Sequence, residues 1–341
     1  MTQAPKFTFV LVLLLAAIAP AMAETELKIA TIVPEGTSWM KAMREGADEI
    51  SKRTEGRVRF KYYTGGVQGN DNQVRRKMRV GQLHGGVFTS GTLRQFQPQA
   101  ELYGLPLLFR NYEEVTFVRE RMDAGVRQSL EDAGFVNFGF AGGGFAYLIS
   151  ATPIATRDSM HGVKVWIPEG DEIARRSSAA LGISSVTLPL TDVLTGLQTE
   201  LIDTVMGPPV GVIVMQWHTA MKYITDVPIA YVYATMLIDK RVFGKIAAAD
   251  QAIAREVMEG IYQGFDAQGV TEDRAAYQAL LDEGLERVSI DDAEAREWQA
   301  LIDASNEQAA SEGVVPAVLL EELECYLAAF RAGAAGDDCR K

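Results

Sequence analysis

Cysteine and histidine are both scarce in this sequence of 341 residues. The two cysteines, Cys325 and Cys339, lie near the carboxyl terminus, and the three histidines, His84, His161 and His218, are scattered along the chain. Zinc sites need several such ligands at short, regular spacings. That spacing does not occur, so we predict no zinc-type metal site and no cofactor, and the sequence leaves open whether a metal ion accompanies a bound ligand.

Sequence signatures of enzymes are also missing. There is no G-x-S-x-G nucleophile turn, no P-loop and no H-E-x-x-H zinc helix. The glycine-rich stretch at 140–147 lacks the order of a dinucleotide-binding loop. Asp192 and Glu200 flank one helix instead of facing each other, and His218 is better interpreted as a surface or core side chain than as a pocket group. We therefore predict that the protein is not an enzyme.

Positive charge is in deficit. The chain has 33 Lys and Arg against 45 Asp and Glu, which gives a formal net charge of −12. This balance disfavours nucleic acid and anionic membrane surfaces as partners, and it keeps a protein soluble and monomeric. An anionic ligand stays compatible because a local pocket can oppose the net field. We expect a monomer that binds no nucleic acid.

Long apolar runs are confined to the amino terminus. Lys6 precedes FTFVLVLLLAAIA (7–19), and Ala21-Met22-Ala23 has the small-x-small form of a cleavage site. These features are typical of a secretory signal peptide. The alternative is a membrane anchor, but the run is short for one and Pro20 interrupts it. We predict a signal peptide over residues 1–23, cleavage near Ala23 and export to the periplasm.

Export changes the interpretation of the two cysteines. Disulfides persist in oxidising compartments, and a bond between Cys325 and Cys339 would close a short loop near the end of the chain. Two independent thiols are the alternative. We expect the disulfide.

Strands and helices alternate along the mature chain. Apolar patterning predicts strands at 27–33, 57–63 and 84–90, with helices at 38–53 and 72–80 between them. This order is typical of a parallel sheet covered by helices. Because such sheets bind ligands at the carboxyl ends of their strands, we expect the loops PEGTSW (34–39), TGGVQGND (64–71) and FTSG (88–91) to converge.

A second round of the same pattern begins near residue 150. The predicted strands are 164–167, 184–190 and 203–206, and the predicted helices are 171–181, 191–201 and one that begins near Pro209 and carries Trp217. An extended run at 229–239 returns the chain toward the first lobe, and three helices follow at 248–283, 291–312 and 316–332. Gly264 and Gly269 are weak points of the first of these. Two α/β lobes of this kind indicate a cleft with a hinge.

Long motifs in the second lobe resemble a known family. TPIATRDSMHGVKVWIPEG (152–170) and LPLTDVLTGLQTELIDTV (188–205), with GGVQGNDNQV (65–74) and FTSGTLRQFQPQAELYGLPLLF (88–109) upstream, resemble the solute-binding proteins of TRAP transporters, the DctP-like family. The likeness covers nearly the whole mature chain. It implies a two-lobe periplasmic binding protein fold of α/β class, with hinge-linked lobes, a ligand cleft between them and a long helix in the carboxyl-terminal part.

The resemblance also suggests boundaries for these parts. We assign residues 24–147 to the first lobe, 148–232 to the second lobe and 233–290 to a return into the first lobe with the long helix. Residues 291–341 would form helices that pack across both lobes.

Four positions depart from the family where relatives contact their solute. Trp166 stands where the family has the arginine of its K-x-R motif, which holds a solute carboxylate in a two-point salt bridge. Ala146 replaces a second arginine, Gly207 an asparagine and Leu190 an aromatic residue. None of the four can bind a carboxylate through its side chain. Trp166 either lines an altered pocket, or it fills the space of the arginine while another cation binds the solute.

Other groups complete the predicted ligand site. Lys164 shares a strand face with Trp166 but is usual in the family, Arg94 stays a candidate cation, and Arg175 and Arg176 are expected to face solvent. The full set of predicted ligand-binding residues is Glu35, Asn70, Thr89, Ser90, Phe145, Ala146, Trp166, Leu190, Gly207 and Trp217.

The predicted function is that of a periplasmic solute-binding protein. It would capture a small organic solute between its lobes and deliver it to the subunits of a TRAP-type membrane permease. The altered positions favour a solute that is aromatic, larger or less charged than a small dicarboxylate. A periplasmic ligand-sensing subunit is the alternative, and a secreted α/β hydrolase is a more distant one.

Overall fold

The computed structural model describes residues 24–339. The predicted signal peptide over 1–23 therefore lies outside the described residues. Eleven strands belong to one extended sheet: β1 Thr25–Ala30, β2 Val58–Tyr63, β3 Gly85–Thr89, β4 Phe135–Val136, β5 Ala141–Ser150, β6 Lys164–Pro168, β7 Ser184–Leu188, β8 Thr204–Gly207, β9 Tyr223–Thr225, β10 Ala230–Asp239 and β11 Glu286–Val288.

Helices cover this sheet on both sides. They are α1 Ser38–Arg53, α2 Asp71–Arg79, α3 Ser90–Leu93, α4 Tyr112–Asp132, α5 Glu172–Ala180, α6 Val193–Gln198, α7 Pro209–Val214, α8 Lys240–Phe243, α9 Ala248–Asp282, α10 Asp292–Ser311 and α11 Ala317–Arg331. A 3₁₀ segment, Pro98–Gly104, lies between α3 and α4. In the part of the chain that the structure describes, no helix is both long and apolar enough to cross a bilayer.

The first lobe is built around the strand order β2-β1-β3-β10. Strands β1, β2 and β3 are parallel, and β10 runs antiparallel to β3. Helix α1 packs on this sheet because Met40, Met43, Ala47 and Ile50 recur on one face and are buried. The hydroxyl oxygen of Thr37 accepts a bond from the backbone N–H of Met40 and caps the helix.

Strand β5 carries the sheet from the first lobe into the second. Its residues Ala141–Ala146 pair with β10, whereas Tyr147–Ser150 pair with β8. Beyond β8 the order continues through β6 to β7, all three parallel. The change of partner between Ala146 and Tyr147 marks where the two halves of the sheet meet.

Helix α9 is one continuous element of 35 residues. The two glycines that were predicted to weaken it differ in their surroundings. An added Cβ at Gly269 would lie 2.7 Å from the carbonyl oxygen of Gly142 in β5, whereas an added Cβ at Gly264 would meet nothing within 4 Å. Gly269 therefore permits the close approach of α9 to β5. The helix also packs against α1 in the first lobe and α7 in the second.

The last two helices pack on different lobes. Trp298 and Ile302 of α10 are buried with the apolar core beside α5 in the second lobe, whereas α11 packs against α4 in the first lobe. A disulfide joins Cys325 to Cys339, as the sequence predicted, with a Cα–Cα distance of 5.5 Å.

Candidate functional site

A cavity of about 270 Å³ lies between the lobes. Its volume is close to the lower end of the range of roughly 300–1,000 Å³ that is common for small-molecule sites. It opens at the carboxyl ends of β2, β3, β6, β7 and β8, which is where α/β sheets bind ligands. The crossing strands β5 and β10 contribute backbone to it at Ala146 and at 230–232.

The two lobes touch at the rim of this cavity. The side-chain amide of Asn70 in the first lobe donates a hydrogen bond to Oε2 of Glu169 in the second, at 2.8 Å. Gly91 faces Asp171 so closely that an added Cβ would lie 2.1 Å from Oδ2 of that carboxylate. These contacts describe lobes that are closed over the cavity.

Trp166 lies on β6 with its side chain at the cavity. Its neighbours Val165 and Ile167 belong to a different core cluster on the opposite face, as alternation along a strand requires. The indole N–H donates to the carbonyl oxygen of Leu188 at 2.9 Å, and the ring meets Trp217 edge to face at 5.2 Å between centroids. Only 5% of Trp166 is exposed, so the ring lines the cavity and also packs in the second lobe's core.

Small and apolar residues surround this pair of indoles. Ala146, Leu190 and Gly207 all line the cavity. An added Cβ at Gly207 would lie 3.4 Å from the ring of Trp217, so the glycine leaves space beside that indole. The sequence predicted that Trp217 lies on a helix that begins near Pro209, and this prediction is wrong. Helix α7 ends at Val214, Gln216 adopts φ 59°, and the chain turns so that Trp217 faces inward.

Polar residues of the first lobe reach the same cavity. Asn70, Thr89 and Ser90 line it, from the loops that follow β2 and β3. The side chain of Asn70 also accepts from the backbone N–H of Gln73 in a capping box at the start of α2. Eight of the ten predicted residues therefore converge on one cavity, and their contact with a ligand stays a prediction.

The structure places the other two predicted residues elsewhere. Glu35 is exposed and forms a two-point ion pair with Arg44 (Oε2 to Nη2, 2.6 Å), and the pKa of its carboxyl is lowered by that hydrogen bond. Phe145 is buried in the first lobe's core against Tyr112, with 4.9 Å between ring centroids. Phe145 precedes Ala146 on β5, and adjacent strand residues point to opposite faces.

The candidate cations also have other partners. Lys164 donates through Nζ to the carbonyl oxygen of Glu200 at 2.5 Å, and Arg94 donates through Nε to the carbonyl oxygen of Val314 at 3.1 Å. Arg175 is exposed beside Glu172. None of the residues lining the cavity is a lysine, arginine or histidine, within the range 24–339 that the structure describes.

Arg176 and His218 have partners of their own. Arg176 is less exposed than the sequence predicted and joins Glu172 to Glu312. His218 pairs with Glu283 at 3.1 Å, in agreement with its interpretation as a residue outside the pocket.

Sequence reasoning missed the acidic residues of the cavity. Four carboxylic side chains line it: Asp71, Glu101, Glu169 and Asp171. Burial raises the pKa of Asp71 and of Asp171 to about 6, and it raises the pKa of Glu101 to about 9. Asp71 and Asp171 stand at helix starts and follow predicted strands, which is a usable signal. Glu101 lies in a 3₁₀ segment within the family-like motif 88–109, where nothing in the sequence marks its carboxyl as a cavity group.

The acidic groups do not form a metal site. Across residues 24–339 the structure contains no cluster of three or more His, Cys, Asp or Glu side chains that could hold a metal ion. The cavity therefore combines an aromatic and apolar wall with carboxylic groups from both lobes.

Two α/β lobes that close over a cavity at their crossing strands define a solute-binding protein. Residues 29–312 match the DctP family, described as bacterial extracellular solute-binding protein, family 7. The match covers most of the chain, and the chain belongs to this family.

Individual relatives are distant in sequence. A solute-binding protein of Verminephrobacter eiseniae is 24% identical over 279 residues, which are 77% of this chain and 81% of that protein. The C4-dicarboxylate-binding periplasmic protein DctP of Rhodobacter capsulatus is 24% identical over 307 residues, 80% of this chain and 91% of that one. The solved structure of a TRAP periplasmic solute-binding protein of Haemophilus influenzae with bound L-gulonate has a TM-score of 0.82 at 17% identity, covering 89% of this chain and 100% of that chain. This likeness supports the two-lobe fold.

Proposed function

We propose that this protein captures a small organic solute in the cavity between its lobes and delivers it to a TRAP-type membrane permease. The cavity at the crossing strands is the observation that carries this proposal. A solute there contacts both lobes at once, so binding favours the closed arrangement over an open one. Closure then presents a surface that the membrane subunits can distinguish from the empty protein.

The solute differs in class from those named for the relatives. The protein of Rhodobacter capsulatus is named for C4-dicarboxylates, and the solved relative holds L-gulonate. Burying an acid without a cationic partner is costly, and the described cavity lining contains no basic side chain. An indole can instead cover roughly 150–250 Å² of a flat or apolar molecule. The solute is therefore an aromatic, larger or less charged organic molecule.

The same role requires export of the protein from the cytoplasm. The segment 1–23 directs export and is removed near Ala23, so the mature chain works in the periplasm as a monomer. The net charge of −12 agrees with a partner that is not nucleic acid. Binding without chemical conversion completes the proposed role.

Mass spectrometry of freshly purified protein tests this role. Denaturation should release one organic solute per chain, and incubation of that solute with protein should return it unchanged. Conversion to a product would contradict the receptor role and favour a hydrolase. Binding that is stoichiometric but without uptake by cells that carry the permease subunits would favour a ligand-sensing subunit.

A further inference from the structure

One carboxylic group in the cavity has no hydrogen-bond partner. Glu101 lies on the 3₁₀ segment of the first lobe, lines the cavity and is 4% exposed. Both of its carboxyl oxygens are buried without a partner. Arg94 has its Nε 3.9 Å from Oε2, which is beyond hydrogen-bond distance, and that N–H donates to the carbonyl oxygen of Val314.

The other three acids of the cavity already have partners. Asp71 accepts from the hydroxyl of Thr92 at 2.7 Å. Asp171 accepts from the backbone N–H of Ala174 at 2.8 Å as the cap of α5, and Glu169 accepts from Asn70 at the rim. Buried polar groups in folded proteins are nearly always hydrogen-bonded. Glu101 is thus the acid in this cavity whose bonding capacity is left for a ligand.

The surroundings of Glu101 are negative. Burial is the main cause that raises its pKa to about 9, and repulsion from Asp171 and Glu172 on the facing lobe adds to it, while Arg94 opposes it. Tyr233 of β10 is also within electrostatic reach. At neutral pH the empty cavity therefore holds Glu101 as a neutral acid. An incoming cation would reverse this balance because it pairs with the ionised form.

We propose that Glu101 anchors the positively charged group of the solute, and that the solute is an organic amine with an aromatic or apolar body. This inference rests on the proposed receptor function and names the substrate class for the same cavity. The ammonium donates to the two free oxygens of Glu101, in a site whose other acids favour a cation. Trp166, Trp217 and Leu190 line the same cavity and cover the body of the molecule.

Binding of the amine moves one proton from Glu101 to solvent. The protonated amine enters with its charge, Glu101 loses its carboxyl proton to solvent, and the ammonium pairs with the carboxylate that remains. Binding near pH 7 should therefore release about one proton per ligand. The affinity for the amine should rise with pH by up to about tenfold per pH unit below the pKa of Glu101. Asp71 and Asp171 titrate near pH 6, so the slope is measured above pH 7.

Three matched probes separate the charge classes. 2-Phenylethylammonium, 2-phenylethanol and 3-phenylpropionate share one aromatic body and differ in the charge of the polar end. Isothermal titration of the mature protein near pH 9, where ionising Glu101 costs little, should give an affinity for the amine about 10- to 100-fold above that for the alcohol, which is the range of a charge-assisted hydrogen bond. The acid should bind more weakly than both.

Two variants assign the preference to Glu101. Glu101→Gln should abolish the advantage of the amine over the alcohol and also its pH slope. Glu172→Gln removes a nearby carboxylate that does not line the cavity, so the preference should persist in that variant. If Glu101→Gln does not fold, proton release by the unaltered protein, measured in buffers of different ionisation enthalpy, tests the same step.

Each other outcome overturns the inference. An acid or alcohol that binds as tightly as the amine shows that the cavity does not select a cation, while the receptor function stands. An amine preference that survives in Glu101→Gln assigns the anchor to another group. Failure of the amine to bind at millimolar concentration excludes this ligand class, and the release of the natural solute still tests the receptor role by itself.

Discussion

At the residue scale, Trp166 links the core of the second lobe to the cavity. Its ring packs edge to face on Trp217, and its N–H is bonded to the backbone of Leu188. The two interpretations open from the sequence, pocket wall and space filler, thus apply to one side chain at once. The second interpretation also required another cation to bind the solute in place of the arginine. The described cavity lining contains no basic side chain that could do so.

Replacing Trp166 should therefore affect both affinity and stability. Trp166→Ala should weaken binding of the retained solute by roughly 1–3 kcal/mol, the value of a buried aromatic anchor. It should also destabilise the fold by about 3–5 kcal/mol. Trp298→Ala is the matched control, because Trp298 is buried in the second lobe and does not line the cavity. Titration of the folded fraction measures affinity, and unchanged affinity in Trp166→Ala would contradict its place in the site.

Glu101 should make stability depend on pH in an unusual direction. Its pKa is about 9 in the folded protein against 4.5 as the ordinary value. Between these values the folded state keeps a proton that the unfolded state releases, so stability falls as pH rises from about 4.5 to 9. Glu101→Gln does not titrate. In ligand-free protein, its melting temperature should exceed that of the parent by a margin that grows from pH 5 to pH 8.

Glu172 should make stability depend on pH in the opposite direction, and it serves as the comparison for Glu101. Hydrogen bonds from Arg175, then from Arg176, lower the pKa of Glu172 to about 2. Its ionised form stabilises the fold above the ordinary pKa and is lost as pH falls toward 2. Glu172→Gln should therefore lower the melting temperature at pH 7 and lose this effect in acid. A constant difference across pH for Glu101→Gln would contradict the buried, unpaired state of Glu101.

At the scale of elements, regular amphipathic patterns were predictable and polar burial was not. The predicted strands at 27–33 and 84–90 and the helix at 38–53 correspond to β1, β3 and α1. Helix α4 was missed. Its buried face includes Glu114 and Arg119, which pair with Arg331 and Asp266 from distant helices. The same face also carries buried apolar residues at helical spacing, Val115, Val118, Met122, Val126 and Leu130, so this helix had a usable sequence signal, whereas its buried ion pairs had none.

The candidate site was predictable only in part, because some of its contacts form between residues that are distant in the sequence. Strand ends and the departures at Ala146, Trp166, Leu190 and Gly207 could be located from sequence because they belong to continuous motifs. Glu101 also lies in a continuous motif, 88–109, but its place in the cavity could not be predicted, because it depends on which groups the facing lobe brings near it. Two-point pairing of Glu35 with Arg44 likewise depends on the folded loop before α1.

The two glycines of α9 give a prediction at this scale. Gly264→Ala should stabilise the protein by roughly 0.5–1 kcal/mol, because alanine favours a helix and the added methyl group meets no neighbour. Gly269→Ala is chemically the same change, but its Cβ would lie 2.7 Å from the backbone of β5. It should destabilise the protein. Chemical denaturation measures the free energy of unfolding of both variants. Equal changes in the two variants would contradict the close packing of α9 on β5.

At the scale of the whole molecule, function depends on closing two lobes that share a sheet. Strand β5 pairs with both halves, so a change in the angle between the lobes must be absorbed near Ala146 and Tyr147. The contacts that favour closure lie at the rim, where Asn70 meets Glu169 and Gly91 meets Asp171. Ligand adds contacts that exist only in the closed arrangement.

A wedge at Gly91 should therefore hold the lobes apart. In the closed structure an added Cβ would lie 2.1 Å from Oδ2 of Asp171, whose other oxygen caps α5. Gly91→Leu should prevent closure and reduce affinity for the solute, although each lobe keeps its own core. Gly125→Leu is the matched control, because an added Cβ at that exposed position on α4 meets nothing within 4 Å.

Small-angle scattering distinguishes these variants. Saturating solute should reduce the radius of gyration of the parent protein and of Gly125→Leu, since closure brings the two lobes together. Gly91→Leu should keep the larger radius at solute concentrations that saturate the others, because its side chain occupies the space that Asp171 needs at the rim. A full decrease in Gly91→Leu would show that the rim contact is not required for closure. No decrease in the parent protein would contradict closure on a ligand altogether, and with it the mechanism by which a membrane permease could recognise the loaded state.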